Sequence, residues 1–125
     1  MERTSVLICA ALLTACAGRG LKAPSAILGV ELPGALVAER GKERITNTVQ
    51  QMAVTFDQEC GPVETFEVAD SARVRAAING LVGREGYTRR LIVTVEGGEA
   101  YALSGPKRLL VVDTESSLGV CELLS

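Results

Sequence analysis

Cysteine is the residue type in this chain with the widest range of possible chemistry, as a nucleophile, a metal ligand or a disulfide partner. The composition of the chain limits which of these roles it can have. The chain contains no histidine and no C-x-x-C pair. Ser-His-Asp and Cys-His catalytic groups are therefore excluded, together with nearly all catalytic zinc sites. We accordingly expect no metal and no cofactor. The cysteines are Cys9, Cys16, Cys60 and Cys121.

Ser104 and Lys107 have the S-x-x-K spacing of penicillin-binding enzymes. In those enzymes the serine begins a helix, so that the lysine one turn later reaches its hydroxyl, and S-D-N and K-T-G elements complete the site. Here Gly105-Pro106 indicates a turn between strands, and neither further element occurs. We therefore expect Ser104 and Lys107 to flank a plain turn.

Acidic residues gather in one segment, at Asp57, Glu59, Glu64 and Glu67. The D-x-D-x-D-G order of a calcium loop is missing from it. An acid-base pair of Glu59 and Glu64 remains an alternative to a solvated acidic face. Because no nucleophile with a base can be assigned, we expect a protein that is not an enzyme.

The first residues, MERTSVLICAALLTAC, have the form of a signal peptide. A cationic start at Arg3 precedes an apolar run from Val6 to Leu13, which has the dimensions of a signal-peptide core. A transmembrane helix needs about 20 apolar residues, and Gly18 and Arg19 end the run long before that. The segment therefore predicts export.

The apolar run ends in Leu13-Thr14-Ala15-Cys16, and this tetrapeptide resembles the lipobox of bacterial lipoprotein precursors. The resemblance implies cleavage before Cys16, which would then carry a diacylglyceryl thioether and an N-acyl chain such as palmitate. These chains supply more than the two signals that stable membrane anchoring requires. Ala17, where lipoproteins kept at the inner membrane commonly have Asp, implies the outer membrane, with the domain facing the periplasm. The alternative is an ordinary cleavage site near an unmodified Cys16.

The domain organisation follows from this leader, because removing residues 1–15 leaves 110 of the 125 residues. That length suits a single domain. The small, Gly- and Pro-containing residues 17–26 predict a flexible tether behind Cys16, so the folded domain is expected at 27–125. The net charge of −2, the lack of Trp and the scattered Phe and Tyr residues argue against a nucleic-acid partner.

Hydrophobic patterning predicts an α+β domain with a small, mostly antiparallel sheet. Met52, Val54 and Phe56 alternate with other residues, which favours a strand that forms a hairpin with the next one. Residues 35–44 fit a short helix or a strand, and we favour the strand. A four-strand meander follows residue 90. The other predicted strands are 27–32, 63–68, 91–95, 100–103, 109–112 and 120–124.

One long helix, at about residues 70–84, is expected to pack on one face of this sheet. Asp70 is a typical N-cap residue, and Gly83 and Gly86 are typical of a helix end. Arg75 and Asn79 fall on the predicted solvent side. The apolar stripe consists of Val74, Ala77, Ile78, Leu81 and Val82.

Cys60 and Cys121 are the cysteines that remain after processing and acylation. Because exported thiols meet an oxidising space, we predict that they form a disulfide with Cα atoms within about 7 Å of each other. The alternative is a pair of buried, unpaired thiols.

Basic residues of the predicted meander are expected to lie along one edge, where their charge protects the edge strand from unwanted pairing. The alternative is an edge that binds phosphate head groups or an acidic partner. These residues are Arg84, Arg89, Arg90, Lys107 and Arg108.

Location and size together favour a binding or assembly module over an enzyme. We expect an outer-membrane lipoprotein that holds a protein partner of an envelope complex, such as secretion, pilus or transfer machinery. The alternative is a small inhibitor or exclusion lipoprotein, in which a loop such as residues 114–119 blocks a foreign enzyme or a conjugation apparatus.

The lipobox leads to a direct prediction. In a Cys16→Ala variant the thioether cannot form, so the protein is expected to remain unprocessed and to be lost from the outer-membrane fraction. Fractionation of cells that express the variant or the parent chain measures both properties. A variant that is processed and membrane-bound like its parent would contradict the lipoprotein interpretation.

Overall fold

The fold is a strand-rich α+β arrangement, as the patterning predicts. The computed structural model describes residues 21–95 and 97–124, so the signal segment and Cys16 lie outside the described residues. The elements in chain order are β1 Lys22–Ser25, β2 Val30–Pro33, β3 Ala35–Val37, α1 Lys42–Thr55, β4 Cys60–Val68, α2 Ser71–Asn79, β5 Thr88–Val95, β6 Gly98–Ser104, β7 Arg108–Thr114 and β8 Ser117–Leu123.

The main sheet has six strands in the order β3-β4-β8-β7-β6-β5, and every neighbouring pair is antiparallel. Strands β5 to β8 form the predicted meander, because each pairs with the next along the chain. Strands β1 and β2 form a separate antiparallel hairpin. The sheet therefore joins a local meander to strands from the first half of the chain through the β4–β8 pair.

Strand β7 is buried on both faces of the sheet. Leu109 and Val111 belong to an apolar cluster with α2 and the β1–β2 hairpin. Leu110 and Val112, which alternate with them, belong to a second cluster with α1. A continuous apolar run is typical of a strand with both faces covered. The molecule thus has three layers: α1, the sheet, and α2 with the hairpin.

Helix α1 overturns the strand predicted from the alternation of Met52, Val54 and Phe56. Val49 and Ala53 are buried one turn apart, and Ile45 and Met52 pack against the same cluster. These spacings are helical. Val54, expected on the buried face of a strand, is 71% exposed. The predicted hairpin between this strand and residues 63–68 is therefore wrong. The strand favoured at residues 35–44 is correct only for β3, since α1 begins at Lys42.

Helix α2 lies where the long helix was predicted but is shorter. The Asp70 side chain accepts a hydrogen bond from the backbone N–H of Arg73 at 3.2 Å, which makes Asp70 the N-cap. The helix ends at Asn79, and residues 80–87 turn back instead of extending it. Val82 of the predicted stripe is consequently exposed, and Arg75 of the predicted solvent side is partly buried.

The predicted tether is partly folded. Residues 22–25 are strand β1, and the turn before β2 occupies part of the strand predicted at 27–32. Glu64 on β4 holds this hairpin, because its carboxylate accepts hydrogen bonds from the Ser25 hydroxyl at 2.6 Å and from the Ala26 backbone N–H at 2.9 Å. Glu64 is thus a structural anchor and not part of a solvated acidic face.

The Cys60 and Cys121 sulfur atoms lie at bonding distance, which fits the predicted disulfide. Their Cα atoms are 5.6 Å apart. The bond joins β4 to β8 beneath α1, where Cys121 is fully buried. The cysteines are 61 positions apart in the sequence, and closing a loop of that length restricts the unfolded chain by about 4 kcal/mol in the entropic model.

Gly119 permits the close approach of α1 to β8. A Cβ atom at this position would lie 2.5 Å from Val49 Cγ2 and 2.8 Å from Ile45 Cγ2. Both neighbours are β-branched residues of a helix and have little rotamer freedom. A Gly119→Ala substitution is therefore expected to lower the free energy of unfolding by about 1–3 kcal/mol.

Urea unfolding measures this loss, and Gly61→Ala is the matched control. Gly61 also lies in the β4–β8 pair, but a Cβ there would meet its nearest neighbour, Leu124 Cδ2, at an ordinary 3.5 Å. Equal stability changes in the two variants would contradict the packing explanation.

Candidate binding surface at the open sheet edge

The outer side of β5 is the long open edge of the main sheet. At the opposite edge β3 has 3 residues, whereas β5 has 8. Leu91 and Val93 on β5 are 51% and 38% exposed. The register shifts between these two residues, so the strand carries a bulge in its middle. An open edge presents unpaired backbone N–H and C=O groups, here beside exposed apolar side chains.

The predicted basic edge is divided between the two faces of the sheet. Side chains alternate along a strand, so Arg89 and Arg90 point in opposite directions. Arg89 pairs in register with Leu103, which belongs to the apolar cluster on the α2 side of the sheet. Arg90 pairs with Ala102 on the α1 side. Arg108 shares the face of Arg90, while Lys107 lies in the β6–β7 turn. Arg84 donates to the backbone carbonyl of Gly80.

Arg89 is held in place by three neighbours from α2 and β6. Its guanidinium lies 4.0 Å from the centre of the Tyr101 ring, a cation-π arrangement. It also donates to Asn79 of α2 at 3.2 Å and forms an ion pair with Glu99 of β6. Arg89 therefore ties the start of β5 to α2 and is already engaged within the fold.

Asp113 is a buried acid on the same face of the sheet as Arg89. One carboxylate oxygen accepts a hydrogen bond from Arg75 Nε at 3.1 Å, and the other has no partner among the described residues. Burial raises the pKa of Asp113 against the opposing effect of Arg75. Burial, with the charge of Asp113, also raises the pKa of Tyr101, which keeps its phenol protonated.

These polar residues form what we call the α2 polar cluster: Arg75, Asn79, Arg89, Glu99, Tyr101 and Asp113. Two arginines face two carboxylates, so the formal charge of the cluster is balanced. Its contacts run between α2 and strands β5, β6 and β7. The arrangement fixes the position of β5 against α2.

Sequence reasoning missed this cluster because its members are far apart in the chain. Arg75 and Asp113 are 38 positions apart. The available signal was Asp113 itself, since an acid directly after the apolar run LLVV is expected to need a cationic partner. No group of three or more metal-ligating side chains occurs in the described ranges.

A second feature lies on the α1 side of β5, which we call the Arg90–Arg108 cleft. It has a volume of about 320 Å³. Gln58 accepts a hydrogen bond from Arg108 at 2.7 Å, and the exposed Phe56 ring forms part of the wall. The remaining lining residues are Thr88, Ile92, Ala102, Leu103, Ser104 and Leu123.

Comparisons with known proteins add no family. No protein-family model matches the chain, and no significant match was found to a curated protein or a solved structure. Neither of the described helices is long and apolar enough to cross a membrane.

Asp113 leads to a prediction about pH. Its pKa is raised in the folded chain, so the unfolded chain loses this proton first as the pH rises above about 3.9. The free energy of unfolding of the parent therefore falls from that pH up to the raised folded pKa. Asp113→Asn cannot ionise and should lack this component, so its stability relative to the parent should increase with pH.

Urea unfolding of both proteins between pH 4 and pH 7 measures the difference between their free energies of unfolding. Titrating groups that the two proteins share contribute equally to both and cancel in this difference. Asp57→Asn at an exposed position removes the same charge and serves as the control; its backbone φ of 61° also suits asparagine. A stability difference between Asp113→Asn and the parent that does not change with pH would contradict the effect of burial.

Proposed function

We propose that this chain is an envelope lipoprotein without catalytic activity that binds a protein partner by adding one of the partner's strands to β5. The observation that carries the proposal is the open edge of β5, with Leu91 and Val93 exposed in the middle of the strand. The proposed anchor is the acylated Cys16 in the outer membrane, and the partner is a protein of an envelope complex.

Strand addition suits this edge for a physical reason. An extended segment that pairs with β5 would satisfy backbone groups along 8 residues, while its side chains select the register. Leu91 pairs with Tyr101 on the α2 side, whereas Val93 pairs with Ala100 on the α1 side. A partner strand with apolar residues at neighbouring positions would therefore cover apolar surface on both faces of the sheet.

The bulge and the arginines of β5 are also devices that prevent unwanted pairing between edge strands. In the proposed complex they restrict pairing to a matching partner. A strand that lacks the matching bulge, or that brings a basic residue opposite Arg90, would be excluded. Protection and selective binding are thus compatible at this edge.

The proposed anchor places the edge near a membrane. Strand β1 begins at Lys22, so the chain between Cys16 and the folded domain spans at most about 20 Å when fully extended. A partner bound at β5 would then be a membrane protein or a protein that lies close to the membrane.

The inhibitor alternative receives less support from the loop on which it depends. Residues 115 and 116 form a tight connection between β7 and β8, and the Thr114 hydroxyl accepts a hydrogen bond from the Ser117 backbone N–H at 3.0 Å. A connection of this length does not protrude as a plug.

Site-specific photocrosslinking in cells tests the proposal. A photoreactive residue at position 91 or 93 is expected to capture one envelope protein, whereas a probe at Val54, exposed on α1, should not. Leu91→Lys together with Val93→Lys places charge on the apolar positions and should weaken binding of the captured protein at least tenfold.

Val54→Lys is the control for these lysine substitutions, because it adds a lysine at an exposed apolar position outside the edge. Capture of the same protein from position 54, or unchanged binding by the double lysine variant, would contradict strand addition at β5.

A further inference from the structure

Neither Arg90 nor Arg108 forms an ion pair with a carboxylate among the described residues. Lys22, Arg75 and Arg89 each form an ion pair with a carboxylate. Arg108 donates instead to the neutral amide of Gln58, and within the described ranges the Arg90 side chain has neither a hydrogen bond nor an ion pair. No acidic residue lines the Arg90–Arg108 cleft. The cleft is therefore a positively charged pocket in a chain with a net charge of −2.

The register of the sheet aims both arginines into this cleft. Thr88, Ser104 and Arg108 lie opposite one another on β5, β6 and β7, and Arg90 is two residues beyond Thr88 on the same face. Strand spacing and rise per residue place the Cα atoms of Arg90 and Arg108 about 12 Å apart. Two extended guanidinium groups can approach one anion from opposite sides across that span.

We infer that the Arg90–Arg108 cleft binds a phosphate group. Arginine presents donors in a planar fork that matches phosphate oxygens, and here two arginines line one cleft together with Thr88 and Ser104. One carboxylate can be satisfied by a single arginine, whereas a phosphate has enough acceptor oxygens for both. Ile92, Leu123 and the Phe56 ring provide an apolar wall beside the charge.

The phosphate can belong to a lipid headgroup or to a soluble phosphate ester, which share this chemistry. Gln58 has a positioning role, because its side-chain oxygen fixes the Arg108 guanidinium at the cleft. The site does not depend on strand addition at β5, since its cavity lies on the α1 face of the sheet and not at the outer edge.

Backbone amide NMR titrations of the full chain in neutral detergent micelles test the inference. The probes are inorganic phosphate, a short-chain phosphatidylglycerol and acetate. Saturable shifts are expected at residues 88–90 and 104–108 with a phosphate probe. Arg90→Gln and Arg108→Gln should each weaken this binding at least tenfold, whereas Lys42→Gln, the same charge change at the start of α1, should leave it unchanged.

The result also identifies the source of the phosphate. Phosphatidylglycerol bound at least tenfold more tightly than inorganic phosphate supports a headgroup site, and similar or tighter binding of inorganic phosphate supports a soluble ester. The inference is overturned if no phosphate probe gives saturable shifts, if acetate binds as tightly, or if Lys42→Gln weakens binding as much as the arginine variants do.

Discussion

Burial of β7 on both faces is the constraint from which the rest of the structure follows. A strand with apolar side chains on both sides cannot leave either face of its sheet in water without losing about 25 cal/mol for each Å² of apolar surface left exposed. The chain therefore provides two covering layers, α1 on one face and α2 with the β1–β2 hairpin on the other. Glu64, Gly119 and the Cys60–Cys121 link all serve to seat those layers.

The local parts of this arrangement were predictable from the sequence, and the layers were less so. Strands β5 to β8 have short connections, so alternation and turn residues were sufficient to predict the meander. Helix α1 was missed because three alternate apolar residues near its end imitate a strand. Ile45, which completes the helical spacing with Val49 and Met52, lies well before the alternating residues. Tertiary packing against β8 decides between the two periods.

The sequence was sufficient to predict which basic residues belong to the candidate surface, but not how their side chains are arranged in space. The sequence placed Arg89, Arg90 and Arg108 near one another, and the register agrees. The bulge, the division between faces and the partners of Arg89 depend on contacts that no local pattern specifies. Two neighbouring arginines of one strand thereby acquire different roles: Arg89 supports the fold, and Arg90 remains available for a ligand.

The width of the sheet explains why candidate binding surface remains on one side of it. Six strands spaced about 4.8 Å apart span about 24 Å, whereas one helix covers about 10–12 Å. On the α2 face a hairpin supplements the helix. On the α1 face the helix alone packs mainly over β4, β8 and β7, so β5 and β6 extend beyond it. The exposed Val93 and the Arg90–Arg108 cleft both lie on this uncovered strip, and Leu91 reaches the same open edge from the other face.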